Sequence, residues 1–233
     1  MVVVVDLLRA STTICHALAS GAKCVMPCLK IDETRFRAKQ FSRDEIVLGG
    51  ERGGERIEGF DLGNSPADYT ADQVFGRTVL FTTTNGTKAL AHARLASRVL
   101  IGAAANRTAL AETLAAAPRV DILCAGTDGK VTREDILAAG AICDRLLAQT
   151  SAQHWRTNEW AEAALGEWQE LLTLAQTEGR TASQQLSLEL CVTPGGMNLL
   201  VLGYDTDLVL CAQLDTLNVV PEMDLQQGII RLP

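Results

Sequence analysis

The segment from residue 49 to 66, GGERGGERIEGFDLGNSP, contains residue types that a chemical site needs. Six of the 19 glycines of the chain lie in it, together with the carboxylates of Glu51 and Asp61 and the guanidinium of Arg52. Glycine at this density opposes helix and strand interiors and lets the backbone approach a ligand closely. Carboxylate oxygens can hold a hard cation, and arginine can bind an oxyanion through two hydrogen bonds. The segment therefore predicts a long functional loop, with a flexible surface linker as the alternative.

Three other polar segments, 6–13, 82–88 and 126–135, each follow a predicted strand and lead into a predicted helix. In open α/β sheets, ligands bind beyond the carboxyl ends of the strands. The first turn of a helix offers free N–H groups there, which favour a phosphate or a sulfonate. The segments together predict an anion site, although each single Ser or Thr could also be an ordinary helix cap.

Acidic residues occupy two positions of interest in these segments. Asp6 comes directly after a buried strand, which is a common place for a metal ligand or a nucleophile, and an aspartate in an exposed turn is the alternative. Glu134 and Asp135 open a predicted helix, where they could take part in a site or only complement the helix dipole. The segment 82–88 lacks the GxxxxGK[ST] pattern of a P-loop, so that motif does not account for it.

Strands and helices alternate along the chain. The predicted strands are 2–5, 24–26, 46–48, 77–81, 98–101 and 120–124, and the predicted helices are 12–20, 32–41, 88–96, 107–117, 132–147 and 158–177. Short apolar runs at 197–202 and 208–210 follow them. This alternation predicts an α/β fold with a mainly parallel sheet. Weak similarity between the segments 3–6 and 121–124 and their following helices predicts two similarly built units, 1–117 and 118–233, and leaves an exchange of segments between them open.

The composition restricts the partners of the protein. A net charge of −7 and a pI of about 5.0 argue against nucleic-acid binding, and an anionic substrate would need local cations or a metal. The seven cysteines, an odd number without a CxxC pair, predict reduced thiols in a cytoplasmic protein. No apolar run approaches the roughly 20 residues that cross a membrane. A strand at the first residue leaves open whether residues precede Met1, and a homodimer is also left open.

Several of these motifs resemble those of a known family. VDLLRASTT at 5–13, the glycine-rich segment 49–66, TTTNGT at 82–87, CAG at 124–126, the acidic pair 134–135 and the terminal VVPEM resemble the 2-phosphosulfolactate phosphatases of the coenzyme M pathway. The match covers nearly the whole chain in the order of the family. The resemblance implies an Mg²⁺-dependent phosphatase that hydrolyses 2-phosphosulfolactate to sulfolactate and phosphate. It also implies two three-layer α/β/α units with mainly parallel sheets.

The resemblance also implies roles for the residues identified above. Asp6, with one or more of Glu51, Asp61 and Asp135, would lie near the Mg²⁺ ion. The residues expected to act in catalysis are Asp6, Arg9, Glu51, Arg52 and Asp61. The residues expected to contact the small anionic phosphorylated substrate are Ser11, Thr12, Asn64, Ser65, Thr83, Thr84, Asn85, Gly86 and Thr87. A non-catalytic module that binds a phosphorylated or sulfonated ligand is the alternative, and a module of that kind would release no phosphate.

Overall fold

The computed structural model describes residues 1–149 and 155–233, and the described strands form one nine-stranded sheet. The strands are β1 (Val2–Val5), β2 (Cys24–Pro27), β3 (Ile46–Arg52), β4 (Glu55–Arg56), β5 (Thr78–Thr82), β6 (Val99–Gly102), β7 (Asp121–Cys124), β8 (Glu222–Asp224) and β9 (Ile229–Arg231). Their order across the sheet is β4-β3-β5-β2-β9-β8-β6-β1-β7. The prediction of an α/β fold is confirmed. The glycine-rich segment is not a loop throughout, because β3 continues through its first four residues and β4 pairs back onto it.

The helices flank this sheet. They are α1 (Ala10–Ala19), α2 (Ile31–Ala38), α3 (Ala71–Val74), α4 (Gly86–Ala93), α5 (Arg107–Leu114), α6 (Arg133–Gln149), α7 (Glu159–Thr177), α8 (Ala182–Cys191), α9 (Pro194–Val201) and α10 (Asp205–Cys211). The last three helices and the strands β8 and β9 are absent from the sequence prediction. None of the helices in the described parts of the chain is both long and apolar enough to cross a bilayer.

Two sets of parallel strands make up most of the sheet, and the β8–β9 hairpin joins them. One set is β3-β5-β2 and the other is β6-β1-β7. The hairpin pairs antiparallel with β2 on one side and with β6 on the other, so the two parallel sets run in opposite directions. A flat sheet would put their carboxyl ends at opposite edges. These ends nevertheless meet at one site, so the sheet is not flat.

The central strand β1 shows why the valine run folds as a strand. Val4 packs into one hydrophobic cluster with residues of α1 and α4, whereas Val3 and Val5 pack into a second cluster with Leu137 and Trp168. The strand is therefore buried on both faces, as a continuous β-branched run predicts. It pairs with β6 and with β7, which lie on either side of the predicted boundary at 117/118. The predicted division into two three-layer units is not confirmed and stays a prediction.

Candidate active site

The loops that follow β1, β3, β5 and β7 converge on one cleft of about 330 Å³. The first residues of α9, from the C-terminal part of the chain, complete its wall. Eight of the residues that the sequence predicts for the site line this cleft, namely Asp6, Arg9, Glu51, Asn64, Thr83, Thr84, Asn85 and Asp135. Segments that are far apart in the sequence are thus brought together at the carboxyl ends of parallel strands, where such sheets bind ligands.

Asp6 lies at the floor of the cleft and is almost fully buried. Its Oδ1 accepts a 3.3 Å hydrogen bond from the backbone N–H of Ala10, and its own N–H donates to the hydroxyl of Ser11. A Cβ added to Gly86 would lie 2.7 Å from Oδ2, so only glycine lets α4 begin this close to the carboxylate. Burial is the main cause that raises the pKa of Asp6 from 3.8 to about 8, and the charges of Asp135, Glu51 and Glu134 add to it.

Asp135 connects two of the strand ends. Its Oδ1 accepts from the backbone N–H of Leu7 and its Oδ2 from that of Gly126, both at 2.9 Å. These bonds fix the loop after β1 against the loop after β7. Burial raises the pKa of Asp135 to about 6 although both N–H donors lower it. Asp135 therefore holds the floor of the cleft together as well as adding negative charge to it.

Glu51 performs a similar task on the other side of the cleft. Its Oε2 accepts from the N–H of Gly54 and its Oε1 from the N–H of Thr84, both at 2.7 Å. The carboxylate thus joins the β3–β4 hairpin to the loop after β5. Both oxygens of Glu51 face backbone donors, which favours a role in holding the two loops.

Glu134 is a functional candidate for which the sequence indicates no specific role. Its side chain is 3% exposed, lines the cleft, and its Oε2 has no hydrogen-bond partner among the described residues. Burial raises its pKa. Gly195 of α9 passes so close that any side chain there would collide with the Glu134 carboxylate. Its place in the acidic pair with Asp135 at the start of a helix was the available signal, and that position also fits a simple dipole partner.

Arg9 is the only basic side chain that lines the cleft within the described residues. Its Nη1 donates to Oδ2 of Asp207 at 2.8 Å, and its Nη2 donates to the carbonyl oxygen of Gly54 at 2.7 Å. The guanidinium lies 4.3 Å from the ring centre of Tyr204. Both partners of the Arg9–Asp207 pair are buried. No local pattern indicates a role for Asp207, because the pair joins residues 198 positions apart.

The remaining predicted residues do not line the cleft. Asp61 accepts from the N–H of Leu48 and forms an ion pair with Arg43, and Arg52 donates to the hydroxyl of Thr82 and the carbonyl oxygen of Glu51. The others make internal hydrogen bonds or pack behind the cleft wall, and they are Ser11, Thr12, Ser65, Gly86 and Thr87. Their predicted roles in catalysis, metal binding or substrate contact stay predictions.

The electrostatics of the cleft fit a hard cation. Five carboxylates line it, from Asp6, Glu51, Asp128, Glu134 and Asp135, against the single guanidinium of Arg9. The Oε2 of Glu134 and the Oδ1 of Asn64 are buried oxygens without partners in the described structure. Within the described residues, no group of three or more His, Cys, Asp and Glu side chains is arranged as a complete metal cage. Mg²⁺ does not need such a cage, because it commonly keeps several waters and uses one or two carboxylates with substrate oxygens.

Comparisons with known proteins agree with this chemistry. Residues 1–226 match the profile of a family described as 2-phosphosulpholactate phosphatase. The chain is 36% identical over 231 residues to a probable 2-phosphosulfolactate phosphatase of Caldanaerobacter subterraneus subsp. tengcongensis, which covers 99% of this chain and 89% of that protein. It is 38% identical over 231 residues to a probable 2-phosphosulfolactate phosphatase of Prochlorococcus marinus (strain MIT 9303), and the match covers 98% of this chain and 90% of that protein. It is 40% identical over 220 residues to a probable 2-phosphosulfolactate phosphatase of Symbiobacterium thermophilum, and the match covers 94% of this chain and 89% of that protein.

Proposed function

This chain belongs to the 2-phosphosulfolactate phosphatase family, and from that premise we propose that it hydrolyses 2-phosphosulfolactate to sulfolactate and phosphate with the help of Mg²⁺. It is a phosphoric monoester hydrolase. In the reaction the phosphorus–oxygen bond to the 2-position breaks, water supplies the new oxygen on phosphorus, and the leaving alkoxide oxygen takes up a proton. The observation that carries the proposal is the gathering of five carboxylates and one fixed arginine in a single cleft.

The charge of the substrate explains why the cleft needs a cation. The substrate carries a phosphate, a sulfonate and a carboxylate, and among the described residues five carboxyl groups but only one arginine line the cleft. An anion would be repelled from this surface unless positive charge is added. Asp6, Asp135 and Glu134 are the buried carboxylates that would hold Mg²⁺. When bound, the ion would neutralise phosphoryl oxygens and stabilise the charge that develops on them.

The residues of the chain itself bind and enclose the substrate. The hydroxyl of Thr84 is a buried group with no hydrogen-bond partner among the described residues and can donate to a phosphoryl oxygen, and Asn64 presents its side chain to the same cleft. Arg9 supplies the permanent positive charge. The β3–β4 hairpin and the start of α9 close the cleft at its rim, since Asn198 of α9 lies 3.4 Å from the carbonyl oxygen of Gly53. A closed rim limits bulk water and strengthens the electrostatic interactions inside.

A substrate panel tests the proposed function. Phosphate release would be measured from phosphorylated 2-hydroxy acids with and without a sulfonate, each with Mg²⁺ and with an excess of chelator. We expect release from the sulfonated substrate with Mg²⁺ and none with chelator. A module that only binds its ligand would release no phosphate under any condition, and that result would overturn the proposal.

A further inference from the structure

Arg9 is held in place from three sides before any substrate arrives. Asp207 binds Nη1, the carbonyl oxygen of Gly54 binds Nη2, and the ring of Tyr204 covers one face of the guanidinium. The other oxygen of Asp207 accepts a 2.6 Å hydrogen bond from the hydroxyl of Ser65, so Asp207 is itself fixed. A guanidinium has more N–H donors than these two contacts use. Arg9 can therefore bind an oxyanion without first being reoriented.

The contacts of Arg9 set it apart from the acidic floor of the cleft. Asp6 and Asp135 accept hydrogen bonds from backbone N–H groups that follow β1 and β7. Arg9 instead pairs with Asp207 and donates to the carbonyl oxygen of Gly54 in the β3–β4 hairpin. A metal on the acidic floor would bind the phosphoryl group. The sulfonate and the carboxylate of the substrate would then still need a positively charged partner. Arg9 is the single basic side chain of the described cleft lining that can provide one.

We propose that Arg9 binds the non-reacting anionic end of the substrate and that Asp207, acting through Arg9, is the residue that positions it. This inference rests on the proposed function. It assigns the part of the cleft beside Tyr204 and the β3–β4 hairpin to the sulfonate-bearing end. Arg52, the other arginine that the sequence predicts for the site, donates instead to Thr82 and to the carbonyl oxygen of Glu51.

The positioning role predicts a different pattern from a purely structural ion pair. A buried pair that only stabilises the fold would, when broken, lower stability and reduce the binding of every ligand of the cleft by a similar factor. A pair that aims Arg9 at one end of the substrate would weaken the binding of ligands with that end only. Two product ligands make the distinction, because sulfolactate carries the sulfonate and carboxylate whereas inorganic phosphate resembles the transferred group.

The test compares Asp207→Asn with the wild-type protein by calorimetric titration with Mg²⁺ present. Asparagine keeps the shape of the side chain and can still accept from Ser65, but it removes the charge that faces Arg9. We expect the Kd for sulfolactate to rise roughly ten- to a hundredfold, the worth of one charge-assisted hydrogen bond, and the Kd for phosphate to change less than about threefold. Glu222→Gln is the matched control, since it breaks the two-bonded pair with Arg98 in another part of the sheet and should change neither Kd.

A double-mutant cycle completes the test. Arg9→Lys should also weaken sulfolactate binding, because lysine lacks the planar fork of donors. If Asp207 acts through Arg9, adding Asp207→Asn to Arg9→Lys should cause little further loss of affinity for sulfolactate. If the two residues acted independently, the two losses of binding free energy would add. Should Asp207→Asn fail to fold, Tyr204→Leu at a half-buried position removes another support of Arg9 and should give the same selective loss.

The outcomes separate this inference from the proposed function. Equal losses for sulfolactate and phosphate, or no loss for either, would overturn the positioning role while the wild-type protein still hydrolyses 2-phosphosulfolactate. A wild-type protein that neither hydrolyses the substrate nor binds sulfolactate would overturn both. A selective loss for sulfolactate that is non-additive with Arg9→Lys supports the inference.

Discussion

Asp6 is the side chain on which the proposed chemistry depends most directly, because it is a buried carboxyl group placed where a metal or a phosphoryl group would bind. Asp6→Asn keeps the shape and the hydrogen bond from Ala10 but removes the charge. We expect kcat to fall about 10³-fold or more, which corresponds to roughly 4 kcal/mol of barrier. Asp121→Asn is a suitable control, since Asp121 begins β7 and pairs with Arg119 at the surface. An Asp6→Asn protein that folds and retains activity within about tenfold of wild type would show that Asp6 is structural.

The raised pKa of Asp6 gives a second prediction, on stability. Its pKa moves from 3.8 to about 8 because the folded protein buries it among other carboxylates, so the folded state keeps a proton that the unfolded chain releases. In metal-free protein this contribution is complete below pH 3.8, and it is lost as the pH rises towards 8. Asp6→Asn should therefore unfold at a higher temperature than wild type near pH 8, and at a similar temperature near pH 4. Thermal unfolding in chelator at both pH values measures this. A difference that is the same at both values would contradict it.

The residues of the glycine-rich segment show how far the sequence can predict a site. The composition predicted a functional segment, and Glu51 does line the cleft. Arg52 does not, because β3 continues through it and successive side chains of a strand point to opposite faces. A segment interpreted as a loop has no such alternation of side chains. The sequence therefore could not predict that Glu51 lines the cleft and Arg52 does not. Asp207 was beyond prediction for another reason, since nothing local in α10 indicates a partner near the other end of the chain.

At the scale of elements, the β3–β4 hairpin and α9 form the rim of the cleft together. Gly54 donates to Glu51 through its N–H, accepts from Arg9 at its carbonyl oxygen, and packs against Leu202. The hairpin thus connects the two charged sides of the site. Sequence patterns predicted the strand that leads into the hairpin. They did not predict α8 to α10, because those helices are short and their apolar positions repeat too few times to give a clear period.

Gly54→Ala tests the hairpin. Gly54 has a φ of +93°, and an added Cβ would lie 2.6 Å from Cδ1 of Leu202 and 3.0 Å from Nδ2 of Asn198. The side chains of Leu202 and Asn198 or the hairpin itself must shift to relieve this contact, and either change disturbs the packing of α9 against the hairpin whose carbonyl oxygen holds Arg9. We expect kcat/KM to fall about tenfold or more, together with a lower Tm. Gly53→Ala is the matched control, because Gly53 also has a positive φ of +63° but its Cβ would meet nothing within 4 Å. Equal losses in the two variants would mean that backbone strain alone, and not the displaced hairpin, is responsible.

At the scale of the whole molecule, the site depends on the arrangement of the strands in one sheet. The alternation of strands and helices predicted an α/β fold, and this is correct. The order of the strands was not predictable, because β8 and β9 come from the end of the chain and insert between the two parallel sets. Each set pairs in register with the hairpin at a single position, Val25 with Ile230 and Leu100 with Glu222. Asp6 and Gly86 lie together although they follow β1 and β5, which run in opposite directions.

The charge of the whole protein leads to the last prediction, on metal dependence. A protein of net charge −7 that collects five carboxylates in one cleft works against its own stability, because the like charges repel one another and are poorly solvated. A cation that binds only the folded state relieves this repulsion and stabilises the protein by mass action. We expect Mg²⁺ to raise the Tm of metal-free wild-type protein in a concentration-dependent way, and an excess of chelator to abolish turnover until Mg²⁺ is restored. Sodium chloride at matched ionic strength controls for general screening and should raise the Tm much less.

The Mg²⁺-dependent rise in Tm should be strongly reduced in Asp6→Asn and retained in Asp121→Asn. Full activity in excess chelator, or an identical response to Mg²⁺ in the Asp6→Asn variant, would show that the carboxylates of this cleft do not hold a catalytic metal.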